Sequence, residues 1–399
     1  MSLRFFTDML IGNLFKKIAE LAPIVACVAT VAGISGCCVS VLNDCPNEPA
    51  KQTKVQAFPT VGEWQPITGS GAPEFRYSFE LFWTGAEVLV IGGRVGNPSS
   101  FPADGGLYDT ANDSWRPLKL PEEFSANLVS NARYLWADDR LYVMAPDSQT
   151  TEKAFVSFDP KTSDWTDLAT DGLPRKCTAI VWTGDQIQKS CEQVEPFEEY
   201  GQNLVSYDAK TNAWTRQVTT GFPKIGHADC SVWTGSEWLI WASTGSDPTE
   251  TKGLYSGYRL ARGKTAWVAA APGPDVVAVA DSAVCVWTGT ELAVYALSSG
   301  GALYNPTTDS WRLMDARFGT DGALVWTGTK LIAVSGGPGA AFVYDPASGE
   351  INQTPSRGET SGSFAATWAG VRLVVWGGKE VTNGQLELTN VGAVLILPP

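Results

Sequence analysis

Short apolar runs broken by tight polar turns recur from residue 63 to the end of the chain, the pattern of many short strands. Seven of the runs pass through Trp into a small polar turn. They are FWTGAEVLVIGG from Phe82, LWADDRLYVM from Leu135, VWTGDQIQ from Val181, VWTGSEWLIW from Val232, VWTGTELAVY from Val286, VWTGTKLIAVSGG from Val325 and TWAGVRLVVWGG from Thr367. Trp83, Trp136, Trp182, Trp233, Trp287, Trp326 and Trp368 are spaced 53, 46, 51, 54, 39 and 42 residues apart. Propeller blades recur at roughly 40–50 residues.

A second element follows the first in six repeats: GLYDTANDSW from Gly106, FVSFDPKTSDW from Phe155, LVSYDAKTNAW from Leu204, YRLARGKTAW from Tyr258, ALYNPTTDSW from Ala302 and FVYDPASGEI from Phe342. A strand ends in an aromatic and then Asp or Asn, turn residues follow, and a Trp opens the next strand. Repeat four has Arg259-Leu260-Ala261-Arg262 where the others carry the acidic turn, and repeat six has Ile351 in place of Trp. Each repeat therefore holds four strands: A into the first Trp, B after the Gly turn, C into the aromatic, and D from the second Trp. The seventh repeat supplies A, B and, in VGAVLILPP, C, but no D. Glu63-Trp64-Gln65-Pro66-Ile67 is an orphan strand that completes it and closes the ring, which removes exposed sheet edges. The predicted fold is all-β: a seven-bladed β-propeller of four-stranded blades spanning residues 62–399.

On WTGxxL…GG and YDPxTxxW the chain resembles the bacterial kelch-type propellers, related in pattern to the galactose oxidase central domain. The resemblance covers residues 63–399 and implies the fold, not an activity. Copper chemistry of the galactose oxidase kind needs several histidines, and the chain has one, His227.

Of 399 residues, 44% are hydrophobic and 18% charged, as in a packed globular protein. The net charge of −13 gives no basic footprint for nucleic acid. Residues 1–36 form the predicted signal segment, with Lys16 and Lys17 ahead of the apolar run APIVACVATVAG from Ala22. Ile34-Ser35-Gly36-Cys37 resembles the bacterial lipobox, which implies lipidation of Cys37. Cys38 stands where Asp would mark inner-membrane retention, so the resemblance implies an outer-membrane lipoprotein, periplasmic or surface-exposed. A plain membrane anchor, a start at Met9 and cleavage before Cys27 remain open alternatives. Loss of residues 1–36 removes one net positive charge and takes −13 to −14. Residues 37–61 form the predicted tether.

The A–B and C–D turns are nearly constant and share one end of the blades, whereas the B–C and D–A loops vary and share the other. Variable loops on a constant scaffold carry function. Counting back from each A-strand Trp places Tyr77, Asn131, Lys176, His227 with Asp229, Asp281, Asp321 and Ser363 around the channel mouth at that end, with Arg76 and Arg175 one step further out. This ring of donors and acceptors suits a sugar or a peptide. The acidic loop CEQVEPFEEY, from Cys191, suits a cation or a basic partner, or is simply solvated.

Six cysteines beyond Cys27 and Cys37 allow 15 pairings. Cys177 and Cys191 flank the A–B turn of blade three almost symmetrically. Cys230 and Cys285 lie on neighbouring A strands with opposite parity, so they point at one another. Cys38 and Cys45 are left as a pair. No pair has metal-ligand spacing, and no cofactor motif, phosphate loop or catalytic triad is present. The leading expectation is a non-catalytic, monomeric scaffold lipoprotein, anchored in the membrane by its lipid, that binds a protein or an envelope glycan. The competing one is a sugar-handling enzyme: some periplasmic kelch propellers are sialic-acid mutarotases, with which the chain shares no motif beyond the fold, and Arg76, Arg175, His227 and Asp229 could supply the acid, base and arginine groups.

Overall fold

The computed structural model describes residues 59–95, 102, 104–121, 132–144, 155–173, 176–193, 203–222, 227–246, 253–280, 283–296, 299–314, 322–335, 339–357, 360–382, 385–389 and 391–398. The signal segment, most of the tether, Cys37, Cys38 and Cys45 lie outside these residues. So do parts of the variable loops.

Seven antiparallel sheets are present, each ordered A-B-C-D. Blade one is Tyr77–Trp83, Val88–Arg94, Asp104–Asp109 and Ser114–Lys119. Blade two is Arg133–Ala137, Arg140–Met144, Phe155–Asp159 and Asp164–Asp167. Blade three is Lys176–Trp182, Ile187–Gln193, Asn203–Asp208 and Ala213–Val218. Blade four is His227–Trp233, Glu237–Ser246, Gly253–Ala261 and the short Val268–Ala269. Blade five is Ala283–Trp287, Leu292–Ala296, Gly300–Asn305 and Ser310–Met314. Blade six is Gly322–Trp326, Leu331–Ser335, Ala341–Tyr344 and Ile351–Gln353. Blade seven is Thr360–Ala369, Arg372–Thr382 and Gly392–Ile396, with Glu63–Pro66 as its strand D. Trp64 pairs with Leu395 across that closure. The chain enters the propeller at Pro59, whose carbonyl accepts from Gln353 N–H at 2.8 Å.

The core is divided among the seven blade interfaces, each with its own apolar cluster. Leu89, Ile91, Leu141 and Phe158 meet between blades one and two. Ile332, Val334, Leu373 and Leu395 meet between six and seven. Ile67, Val88, Tyr108 and Val374 seal seven against one. Trp238, Trp241 and Trp376, the B-strand tryptophans, are 0%, 1% and 0% exposed.

The two repeated turns explain the sequence motifs. In WTGxx the Thr hydroxyl accepts from the backbone N–H three residues on, at 2.9 Å for Thr84 and 3.0 Å for Thr288. Gly85, Gly184, Gly235, Gly289 and Gly328 all sit near φ 92–100°, with open space where a Cβ would go. The turn demands glycine for its backbone, not for room. Blade two makes the same reversal with Asp138 and Asp139 at φ 51° and 55°. In the C–D turn the first acidic residue caps the backbone: Asp109 accepts from Ala111 N–H, Asp208 from Lys210 N–H and Asp345 from Ala347 N–H, each at 2.8 Å.

The D-strand Trp reaches backwards round the ring. Trp115, Trp165, Trp214, Trp311 and Trp64 donate their indole N–H to Thr68, Lys119, Ala169, Ala271 and Pro355 carbonyls of the preceding blade, at 2.8–2.9 Å. A residue the repeat pattern hides completes the tie. Asp113, Asn212 and Asp309, two positions before Trp, adopt φ 47–49°. Each accepts the C-strand Tyr hydroxyl, at 2.6–2.8 Å, and a backbone N–H of the preceding blade, at 2.8–2.9 Å.

Two disulfides join Cys177 to Cys191, directly opposed on strands A and B of blade three, and Cys230 to Cys285 across blades four and five. Cys177 and Cys191 meet across the hairpin whose turn they flank, and Cys230 and Cys285 follow the strand parity read from the sequence.

Candidate binding face

At the short-turn end, charge is paired. Arg116 gives Nε and Nη2 to both oxygens of Glu87 at 2.7 and 2.6 Å. Arg259 does the same to Glu237 at 2.8 and 3.0 Å, and Arg312 to Glu291 at 2.9 and 2.7 Å. These are bidentate forks, the strongest form of the pair. All three also reach the next blade: Arg116 donates to Pro160 O at 3.2 Å, Arg259 to the Tyr304 hydroxyl at 3.2 Å and Arg312 to Pro346 O at 3.1 Å. The recurring Glu three positions after the turn Thr was a visible signal for these pairs, as was the Arg after the D-strand Trp in blades one and five; Arg259 comes instead from strand C. They belong to the scaffold.

The expected mouth residues belong to the opposite end, and the structure describes some of them. Tyr77, Lys176 and His227 are the first residues of the A strands of blades one, three and four. Asp229 and Ser363 lie in the A strands of blades four and seven, each at a break in ladder register. Asn131, Arg175, Asp281 and Asp321 lie outside the described residues. Arg76 is 0% exposed, and its guanidinium is spent internally. It donates to Glu74 O at 3.0 Å, to Gly92 O and Asp104 O at 3.1 Å, and to Asp104 Oδ1 at 2.7 Å. Such a buried cation is held by its partners. Its work is to pin both ends of the blade-one B–C connection.

Around Arg76 the backbone is unusual. Ser78 sits at φ 56° inside a strand, opposite Gly92 and Gly93 at φ 75° and 90°. A Cβ on Gly92 would stand 2.9 Å from the Tyr134 hydroxyl of blade two. Backbone held in sparsely populated conformations concentrates at functional sites. Glu80, on the same A strand, is solvent-accessible, yet the protein packed about it raises its carboxyl above the usual carboxylate range by desolvation. Burial, and then the Glu80 charge, push the Tyr134 phenol upward. Neither Glu80 nor Tyr134 is singled out by the repeats, because their environment exists only when blades one and two meet.

A second unusual group sits between blades six and seven. Arg357, on the D–A connection, is partly buried, and its backbone N–H donates to Gly339 O at 3.2 Å. Its guanidinium lies 4.8 Å from the Phe364 ring centroid and 5.9 Å from that of Trp64. Nε and Nη2 are buried with no hydrogen-bond partner among the described residues. Burial lowers its pKa to about 10, so it stays charged at neutral pH.

Among the described residues, no group of three or more His, Cys, Asp or Glu side chains is placed to hold a metal ion. None of their helices is long and apolar enough to cross a membrane.

These features define the class: a seven-bladed β-propeller with a constant end and a variable end. No protein-family model matches the chain, and no curated protein matches it in sequence. Among solved structures it is similar to a chain of "Crystal Structure of Mitotic Checkpoint Complex", at 11% identity and TM-score 0.51, over 94% of this chain and 99% of that one. That likeness concerns the fold alone.

Proposed function

We propose that the protein is an exported lipoprotein, anchored through Cys37, that uses the variable-loop end of a kelch-like propeller to bind a protein or an envelope glycan without catalysing a reaction. One observation carries this reading. The repeated residues are consumed in turns, forks and inter-blade ties at one end, while the other end joins the same strands through loops that differ in every blade. The two disulfides support an oxidising compartment.

The test is capture of the tagged full-length protein from gently solubilised membranes. A stoichiometric partner should survive exchange of short-turn residues and be lost when B–C loops are exchanged. Cys37→Ser should release the protein from the membrane. A bait that stays bare, or a partner indifferent to the loops, would refute the scaffold reading.

A carbohydrate-active enzyme is the second reading, with Glu80, an accessible carboxyl beside the strained backbone at Ser78, and His227 as its candidate acid and base groups. Turnover of a sugar lost in Glu80→Gln and His227→Ala, with unfolding unchanged, would establish it.

A further inference from the structure

Three arginines in this molecule show what the Nε/Nη2 edge does when the fold supplies an acceptor. Arg116, Arg259 and Arg312 each take a glutamate carboxylate along that edge, at 2.6–3.0 Å. Arg357 has the same edge closed off from solvent and unfilled. The aromatic faces of Phe364 and Trp64 attract its charge but accept nothing along the Nε/Nη2 edge. Backbone atoms near it are already spent. Pro355 O takes the Trp64 indole N–H at 2.9 Å and the Thr354 hydroxyl at 2.9 Å, and the Thr354 hydroxyl accepts Ala341 N–H at 2.8 Å. A buried donor pair without an acceptor is costly, and a native protein keeps one where something else completes it.

From this geometry we infer that Arg357 is a receptor for the carboxylate of a small organic acid, held bidentately between blades six and seven at the variable-loop end. The planar fork selects a carboxylate over a hydroxyl because two parallel N–H donors need two acceptor oxygens at matching spacing. The Phe364 and Trp64 rings hold the guanidinium in place, so little freedom is lost on binding. Sugar acids and simple carboxylic acids share this chemistry. The site does not depend on the scaffold reading: a carboxylate would be taken up whether or not the loops dock a macromolecule.

The test uses the full-length protein and two probe pairs, D-glucuronate against D-glucose and acetate against ethanol. The readouts are calorimetry and the Arg357 Nε–H resonance, assigned by its loss in Arg357→Lys. Saturable binding of glucuronate, with a shift of that resonance and no response to glucose, is the expected result. Acetate binding equally well would place all the recognition in the carboxylate; glucuronate binding more tightly would assign a sugar acid. Arg357→Gln should weaken binding at least tenfold. Arg357→Lys should retain a part of it, having charge but no fork. Glu359→Gln, which removes the carboxylate two positions along the chain, should change nothing. An Nε–H resonance unmoved by both acids would overturn the inference, even if Arg357→Gln proves too unstable to study. So would an edge that responds to acids only in Glu359→Gln, since the acceptor would then be the chain's own carboxylate.

Discussion

At the short-turn end of the blades, Arg116, Arg259 and Arg312 each meet a glutamate with both nitrogens of one edge; at the loop end, Arg357 offers the same edge and meets none. Glu80 repeats the contrast with the opposite sign. Glu87 and Glu291 are forked by arginine, whereas Glu80 is an accessible carboxyl raised by the protein around it. The difference teaches how the repeat divides its labour. Side chains that recur in register close the ring; of those that occur once at the loop end, Arg76 is spent internally and Arg357 keeps an open edge.

The largest effect that would test this division is on ring closure. Removing residues 59–67 takes strand D from blade seven and should cost on the order of 5 kcal/mol or abolish cooperative unfolding, read by calorimetry. Next comes the staple between blades four and five. Replacing both Cys230 and Cys285 by Ala opens a link with a sequence separation of 55 and should cost about 4 kcal/mol on the chain-entropy account. The same change at Cys177 and Cys191, with a separation of 14, should cost about 3 kcal/mol. Asp309→Ala should cost roughly 2 kcal/mol, because it strands the Tyr304 hydroxyl and Ala271 N–H and leaves a Cβ residue at φ 48°.

A smaller effect depends on pH. The hydrogen bond from Lys330 holds the Asp345 carboxyl down to about 2. The unfolded carboxyl titrates near 3.9, so this contribution is whole above about pH 4 and is lost as the pH falls through 2. Lys330→Met should cost about 0.5 kcal/mol at pH 7, since the pair is partly screened by solvent, and the gap from wild type should close between pH 4 and pH 2. A gap that widened on acidification would contradict the assignment.

The scaffold was readable from the sequence because it repeats. Seven Trp-turn segments fixed the blade number. The missing strand after VGAVLILPP pointed to Glu63–Pro66 as the closure, and the parity of Cys230 and Cys285 placed them face to face. Of the mouth positions read from the sequence, Tyr77, Lys176 and His227 stand at the head of their A strands. That Arg76 would be consumed by Asp104 could not be read, because Asp104 lies across the B–C connection. Arg357 carries no motif at all. Its surroundings are made by Trp64 from the start of the propeller and Phe364 from near its end, which meet only once the ring is closed.

The central claim is that forks at one end hold the structure, while the open fork at the other holds a ligand at some expense of stability. Thermal unfolding of Arg116→Met and Arg357→Met, measured side by side without ligand, tests it most directly. Arg116→Met breaks a filled fork and should lower Tm, by about 1–2 kcal/mol of stability. Arg357→Met replaces an unsatisfied buried charge with an apolar side chain of similar length and should raise Tm, by roughly 1 kcal/mol. Opposite signs are the predicted result. If Arg357→Met destabilises the protein as much as Arg116→Met, Arg357 is one more part of the scaffold, and the division between the two ends fails.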